Sequence, residues 1–261
     1  MKRPHNILGI SIGILVILLI IAIISYFTVD SEKMKDFTLN LSTEIIGILL
    51  TIFLIDSVLR RNEQKEKLKQ QSNALHQIRF PLVRHLHLMF DIYKSSIISQ
   101  PKDVKSDYSD ILLSDNYYDS IRFFDFNTLA PVSPNALWYV FLKYQVDEFK
   151  LSIEKTLEKY SFTLDSNIVA ILESLINSHF YSLVNMSFSV YKSGSGFKDS
   201  RLFLESDTKF IKEYNQNLIQ LLEYYNKLVN DDKKIIFDIG LWRNDISPNY
   251  GQSRNEKNNF A

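Results

Sequence analysis

Residues 7–27 read ILGISIGILVILLIIAIISYF, 21 positions without a charged side chain. At 1.5 Å of rise per residue, a helix of that length matches the roughly 30 Å hydrocarbon core of a bilayer. A cleavable signal peptide is the competing reading. Its apolar region is usually shorter, and no small-x-small cleavage site follows Tyr26 and Phe27. The stretch therefore predicts an uncleaved transmembrane helix. After the polar stretch TVDSEKMKDFT, residues 39–59 read LNLSTEIIGILLTIFLIDSVL, which has the length of a second span. A buried helix of a soluble protein is the alternative here. The short connector and the basic cluster that follows favour a membrane hairpin.

Lys2 and Arg3 precede the first span. The connector carries Lys33 and Lys35 against Asp30, Glu32 and Asp36, and the second span exits into Arg60, Arg61, Lys65, Lys67 and Lys69. The positive-inside rule then places both termini in the cytoplasm, with a short turn outside. The whole chain has 30 basic and 30 acidic side chains, but the zero is a cancellation. Residues 56–94 carry a net +4 and residues 95–261 a net −4. A basic block just inside a membrane gains about 1 kcal/mol per Lys or Arg near anionic headgroups. Glu63 and Glu66 interrupt that block and no nucleic-acid motif accompanies it, so lipid is the expected partner and nucleic acid is not.

The second span is not uniformly apolar. Asn40, Glu44, Gly47 and Thr51 recur at i, i+4, i+7 and i+11, a stripe about 60° wide on a helix turning about 100° per residue. An ionisable residue within a span costs about 2.5–3.5 kcal/mol at its centre and normally faces protein or water. Glu44 is thus expected to meet another helix or a pore. Its position about 7.5 Å inside the outer end also allows partial hydration and bonding to Asn40 or Thr51. Asp56 lies off the stripe and is expected to pair with Arg60 at i+4. Gly9 and Gly13 form a GxxxG pair in the first span that would let a second helix approach closely. Stripe and glycines together predict a homo-oligomer.

Composition narrows the rest. The 261 residues include no cysteine, which excludes disulfides, thiolate metal sites and a cysteine nucleophile. Seven glycines are few for Rossmann, P-loop or many-turned β architectures. The fold class expected is all-α: a two-span hairpin over 1–60, a juxtamembrane stalk over 61–94, a cytoplasmic helical domain over 95–243 and a disordered tail over 244–261. Leu68, Leu75, Leu82 and Met89 form a heptad line, but Gln64 and Gln71 in the partner positions make it a poor autonomous coiled coil. The stalk is expected to pack on something else and to kink near Pro81. Helices are predicted at about 82–98, 115–126, 134–160, 166–191 and 207–229. Ser133 with Pro134, Asp165, and Ser206 or Asp207 are the expected caps. The aromatic clusters around Tyr117 and Trp138 are expected mainly in the core, with some rings meeting a partner subunit or ligand because consecutive aromatics cover more than one helix face.

Catalytic chemistry finds little support. His85 and His87 are two residues apart and project from opposite sides of a helix. His76 and His87 share a face but lie about 16 Å apart along its axis. His5 and His179 are isolated, and there is no HExxH, GxSxG or nucleotide-binding glycine loop. The expectation is a protein that is not an enzyme and has no cofactor or metal.

At NLSTEIIGILLTIFLIDSVLRR the chain resembles a group of bacterial inner-membrane proteins. These pair a Thr-Glu-bearing span, ending in Ile-Asp and an Arg pair, with a cytoplasmic helical domain. The stretches FFDFNTLAPVSPNALWYVFL and LDSNIVAILESLINSHF are similar to the same group, so the likeness covers about residues 38–185. It implies architecture and places the group's Thr-Glu pair on Thr43 and Glu44, without a role. Two functions fit this format. In one, a cytoplasmic domain senses a protein or small molecule and an oligomeric two-span module alters membrane permeability, a format similar to that of phage-defence effectors. In the other, the hairpin is a passive anchor for a cytoplasmic partner complex.

Overall fold

The computed structural model describes residues 5–28, 31–194 and 201–254, with the backbone alone over 5–11. Lys2, Arg3, Asp30, Gly196 and the tail from residue 255 lie outside the described residues. The chain is mostly helical, as expected. It divides into two compact units, Met1–Lys67 and Leu68–Ala261.

The first unit holds helix α1 (His5–Thr28) and the start of helix α2 (Glu32–Ser96). Ala22, Thr38 and Ile45 are its buried residues among those described. Half-buried Leu15 and Leu19 lie on the Ala22 face of α1, and half-buried Ser42, Leu49 and Ile52 lie on the Ile45 face of α2. Ile12 of α1 and Leu49, Ile52 and Asp56 of α2 line one groove of about 380 Å³. Beyond these faces, α1 and residues 39–59 of α2 expose many Ile, Leu, Val and Phe side chains.

The second unit is built around the later part of α2. The helix continues through Pro81 to Ser96. Ala74, Leu75, Ile78, Leu82 and Leu86 are buried, and every residue from Ile92 to Ser96 is buried. A helix buried on all sides is the centre of a core and not a stalk. The expected stalk over 61–94 is thus corrected: from Leu68 it belongs to the globular unit. The heptad line is also no coiled-coil seam. Leu75, Leu82 and Met89 are buried in this unit's own core, while Leu68 is exposed.

Around that centre lie α3 (Tyr108–Leu112), α4 (Asp115–Ile121), α5 (Trp138–Tyr160), α6 (Ser166–Ile176), α7 (His179–Lys192) and α8 (Thr208–Leu228). Helix α5 packs on α6 and α7, and α8 packs on the same two. Helix α5 buries Trp138, Leu142, Val146, Phe149 and Ile153, one face at helical spacing. Asp107, Ser114 and Asp165 cap α3, α4 and α6 by accepting backbone N–H bonds at 2.7, 3.2 and 3.1 Å.

Four sequence expectations are corrected here. The helix predicted at 134–160 begins only at Trp138, because residues 129–137 form a two-stranded hairpin pairing Leu129 with Leu137 and Ala130 with Ala136. The helix predicted at 166–191 is two, since Ser178 adopts an extended backbone between α6 and α7. Helix α4 ends at Ile121 instead of Phe126. The tail is ordered over 244–254: Ser253 N–H donates to Ser95 O at 3.2 Å, Ser253 O accepts from Asp125 N–H, and Tyr250 Oη donates to Trp242 O at 2.7 Å. Backbone bonds hold this segment where its composition supplies few apolar side chains.

Candidate functional site

The polar stripe of α2 is fully formed and turned outward. The face carrying Thr38, Ile45 and Ile52 is centred about 130° from the face carrying Asn40, Glu44, Gly47 and Thr51. All four stripe residues are exposed. The hydroxyls of this segment are satisfied within the helix: Thr51 donates to Gly47 O at 2.8 Å, Thr43 to Leu39 O at 2.9 Å and Ser42 to Thr38 O at 2.7 Å. Glu44 and Asn40 make no hydrogen bond or ion pair among the described residues. A Cβ added at Gly13 or Gly47 would meet nothing within 4 Å. The close approach expected at Gly13 is therefore not made within this chain, and Gly9 is described by its backbone alone. Gly13 projects about 160° from the Ala22 face of α1, so it too is turned outward.

Asp56 receives the Arg60 Nε–H at 2.7 Å, the i+4 pair expected from sequence. Arg60, Arg61, Lys65, Lys67 and Lys69 are all exposed along α2.

In the second unit the histidines do not converge. His85 is buried, stacked on Phe149 at 4.1 Å, with its Nε2 2.5 Å from Tyr214 Oη. Burial pushes its imidazole down to about 3, so the ring is neutral at physiological pH. His87 stacks loosely on Tyr108, and His179 lies 3.6 Å from Asp207. Among the described residues no three His, Asp or Glu side chains come together to hold a metal.

The most strongly built polar centre is one the sequence reading passed over. Lys94 is buried, and its Nζ donates to Leu241 O at 2.9 Å, Arg243 O at 2.7 Å and Ser247 Oγ at 2.7 Å. All three ammonium protons are satisfied, and Tyr250 lies 5.0 Å beneath the charge. Burial pushes the ammonium below the usual lysine range while Asp91 and Asp245 pull it back. The centre ties the 238–254 segment to α2.

No protein family, curated protein or solved structure gives a significant match to this chain.

Asp91, one turn before Lys94, carries a pH dependence. Burial pushes its carboxyl up to about 8, against the pull of Lys94. A carboxyl raised in the folded state contributes most below about pH 4, and that contribution is lost as pH rises toward 8. Asp91→Asn is therefore expected to flatten the fall in melting temperature between pH 5 and 8. Because Asp91 is half-buried, the gain at pH 8 is discounted to about 1–2 kcal/mol. Parallel melting curves for parent and variant across this range would sink the assignment.

Proposed function

We propose that this chain is an oligomeric membrane protein in which a two-span module is coupled to a helical sensing or interaction domain. The observation that carries the reading is the exposure of α2. The helix is long and apolar enough to cross a membrane, yet 6% of its most apolar 18-residue stretch is buried. The core helix of a soluble protein would be mostly buried, so so much bare apolar surface asks for lipid. Residues 7–27 and 39–59 are the two spans, with both termini on the cytoplasmic side where the basic collar meets anionic headgroups.

Glu44 sets the assembly. A carboxyl within a span that does not face the chain's own second helix must face another chain or water. The occupant proposed is a second copy, with the Glu44 stripes of several copies facing a shared axis. A stripe that collects Asn40, Glu44 and Thr51 around an axis is suited to passing ions, which supports a permeabilising effector of the kind used in phage defence. Helix α2 runs without a loop from its apolar part into the centre of the second unit's core, a direct route for a bound signal to reach the spans.

The test is expression in bacteria with a membrane-potential dye. Depolarisation by the parent, lost in Glu44→Ala at equal membrane abundance, is the expected result. An unchanged potential at full expression would leave the module as a passive anchor for its helical domain. Recovery of the chain in the soluble fraction after carbonate extraction would overturn the membrane reading itself.

A further inference from the structure

We infer that ion flow along the proposed Glu44 axis is limited by a hydrophobic constriction one helical turn long, formed on the same face of α2 by Leu54, Ile55 and Val58. The inference rests on the proposed membrane assembly and adds what regulates passage through it.

The turn of the helix fixes which residues share the face. At about 100° per residue, Val58 projects within about 10° of the centre of the Asn40, Glu44, Gly47 and Thr51 stripe. Leu54 and Ile55 flank that centre by about 50° on either side. Leu54, Ile55 and Val58 are 61%, 55% and 56% exposed, so none of them is claimed by α1. Helix α2 is unbroken from Glu32 to Ser96 and holds no proline before Pro81, so no proline kink separates Glu44 from Val58. Whatever Glu44 faces, Val58 therefore faces too, about 21 Å further along the axis.

Along this face the chemistry changes twice. Asn40, Glu44 and Thr51 present polar groups first, and Gly47 leaves open space beside them. The next turn, Leu54 to Val58, presents no polar side chain over about 6 Å. Asn62, Lys65 and Lys69 then return to within about 30° of the same line, all exposed. Polar groups on both sides keep water in place, whereas a ring of valine, leucine and isoleucine offers it no hydrogen bond. A ring of that kind gates a pore by dewetting. It also lies within reach of a signal. The same helix arrives at Ala74, buried in the core of the second unit, about 24 Å beyond Val58. A rotation or parting of the α2 helices moves Val58 off the axis and lets water through.

The test is potassium flux through the full chain in phosphatidylethanolamine/phosphatidylglycerol liposomes, read with a potential-sensitive dye at equal reconstituted amounts. Val58→Asn is expected to raise the initial rate about tenfold over the parent, the effect of removing about 1.4 kcal/mol of barrier. Val58→Thr, which keeps the side-chain shape, and Leu54→Thr should raise it too, and Val58→Phe should lower it. Phe53→Thr, 70% exposed but about 150° from the stripe, should leave the rate unchanged. Flux in the parent that no substitution at Val58 or Leu54 alters would overturn the constriction and leave the proposed pathway standing. No flux from the parent or any variant, in chains that still cross-link through Thr51→Cys, would overturn pathway and constriction together. A rise in Phe53→Thr equal to that in Val58→Thr would show that any polar residue in the segment leaks, and would overturn the assignment to this face.

Discussion

Replacing Lys94 with methionine is expected to lower the stability of the second unit by about 3 kcal/mol, a fall of about 6–12 °C in melting temperature. Methionine keeps the length and apolar stem of lysine, so little of the loss comes from packing. What disappears is three charge-assisted donors. Arg243 O keeps only the long 3.4 Å bond from the Ile246 N–H, and Leu241 O retains only the Ser247 hydroxyl. The loss should be local as well as global. Residues 238–254 are held to α2 by this centre, by the Ser253–Ser95 bond and by Trp242 packing on Phe90 and Tyr93, so trypsin should cleave at Arg243 and Arg254 faster in the variant. A melting temperature within 1 °C of the parent, with unchanged cleavage, would show that the ammonium does not anchor the segment.

The second large effect is expected in the proposed membrane module and follows from the proposed role of Glu44 as an assembly contact. The chain contains no cysteine, so single cysteines report contacts without background. Thr51→Cys lies on the outward stripe and Ile52→Cys lies on the face turned to α1. Oxidation in native membranes should give disulfide-linked dimers at Thr51→Cys about tenfold more readily than at Ile52→Cys. Adding Glu44→Leu should return the first to the level of the second, since a buried carboxyl contact of 1–2 kcal/mol corresponds to about a tenfold shift. Equal cross-linking at both positions would place the interface elsewhere.

The apolar runs were legible because they are local, the caps only in part. Asp165 caps α6 as expected, whereas Ser133 with Pro134 precedes a strand. Helix α5 starts after Leu137, and Asp207 makes no side-chain cap bond at α8. Asp56 with Arg60 at i+4, and Asp165 ahead of an apolar run, act within one or two turns, and the structure places both as the spacing predicts. Lys94 was not legible. A lysine in a helix is ordinarily a solvated residue, and its three acceptors lie 147–153 residues away in sequence. The only local hint was its setting, one of two charged residues, with Asp91, amid the largely apolar stretch from Leu86 to Ile98. The break at Ser178 was hidden because apolar spacing runs on through it, and Asn177 and Ser178 are also tolerated within helices. The ordered 244–254 segment was missed for a different reason. Its polar composition describes its side chains, while its anchorage is through backbone groups that composition does not report. In the spans, spacing identified Glu44 and Gly13 as notable. Which way they face became visible only once Ala22 and Ile45 were seen to define the opposite sides.

The order in which the second unit can be completed follows from its central helix. On a ribosome, the stretch from Ala74 to Ser96 is made before nearly everything that covers it, and the segment that satisfies Lys94 is made after nearly all the rest. Until residues 241–247 are made, the nascent chain therefore carries an apolar helix whose Lys94 ammonium lacks its three acceptors. Bare apolar helix surface of this kind is prone to aggregate, and chains truncated before residue 241, which lack the acceptors of Lys94, are expected to be proteolysed faster than chains that include them.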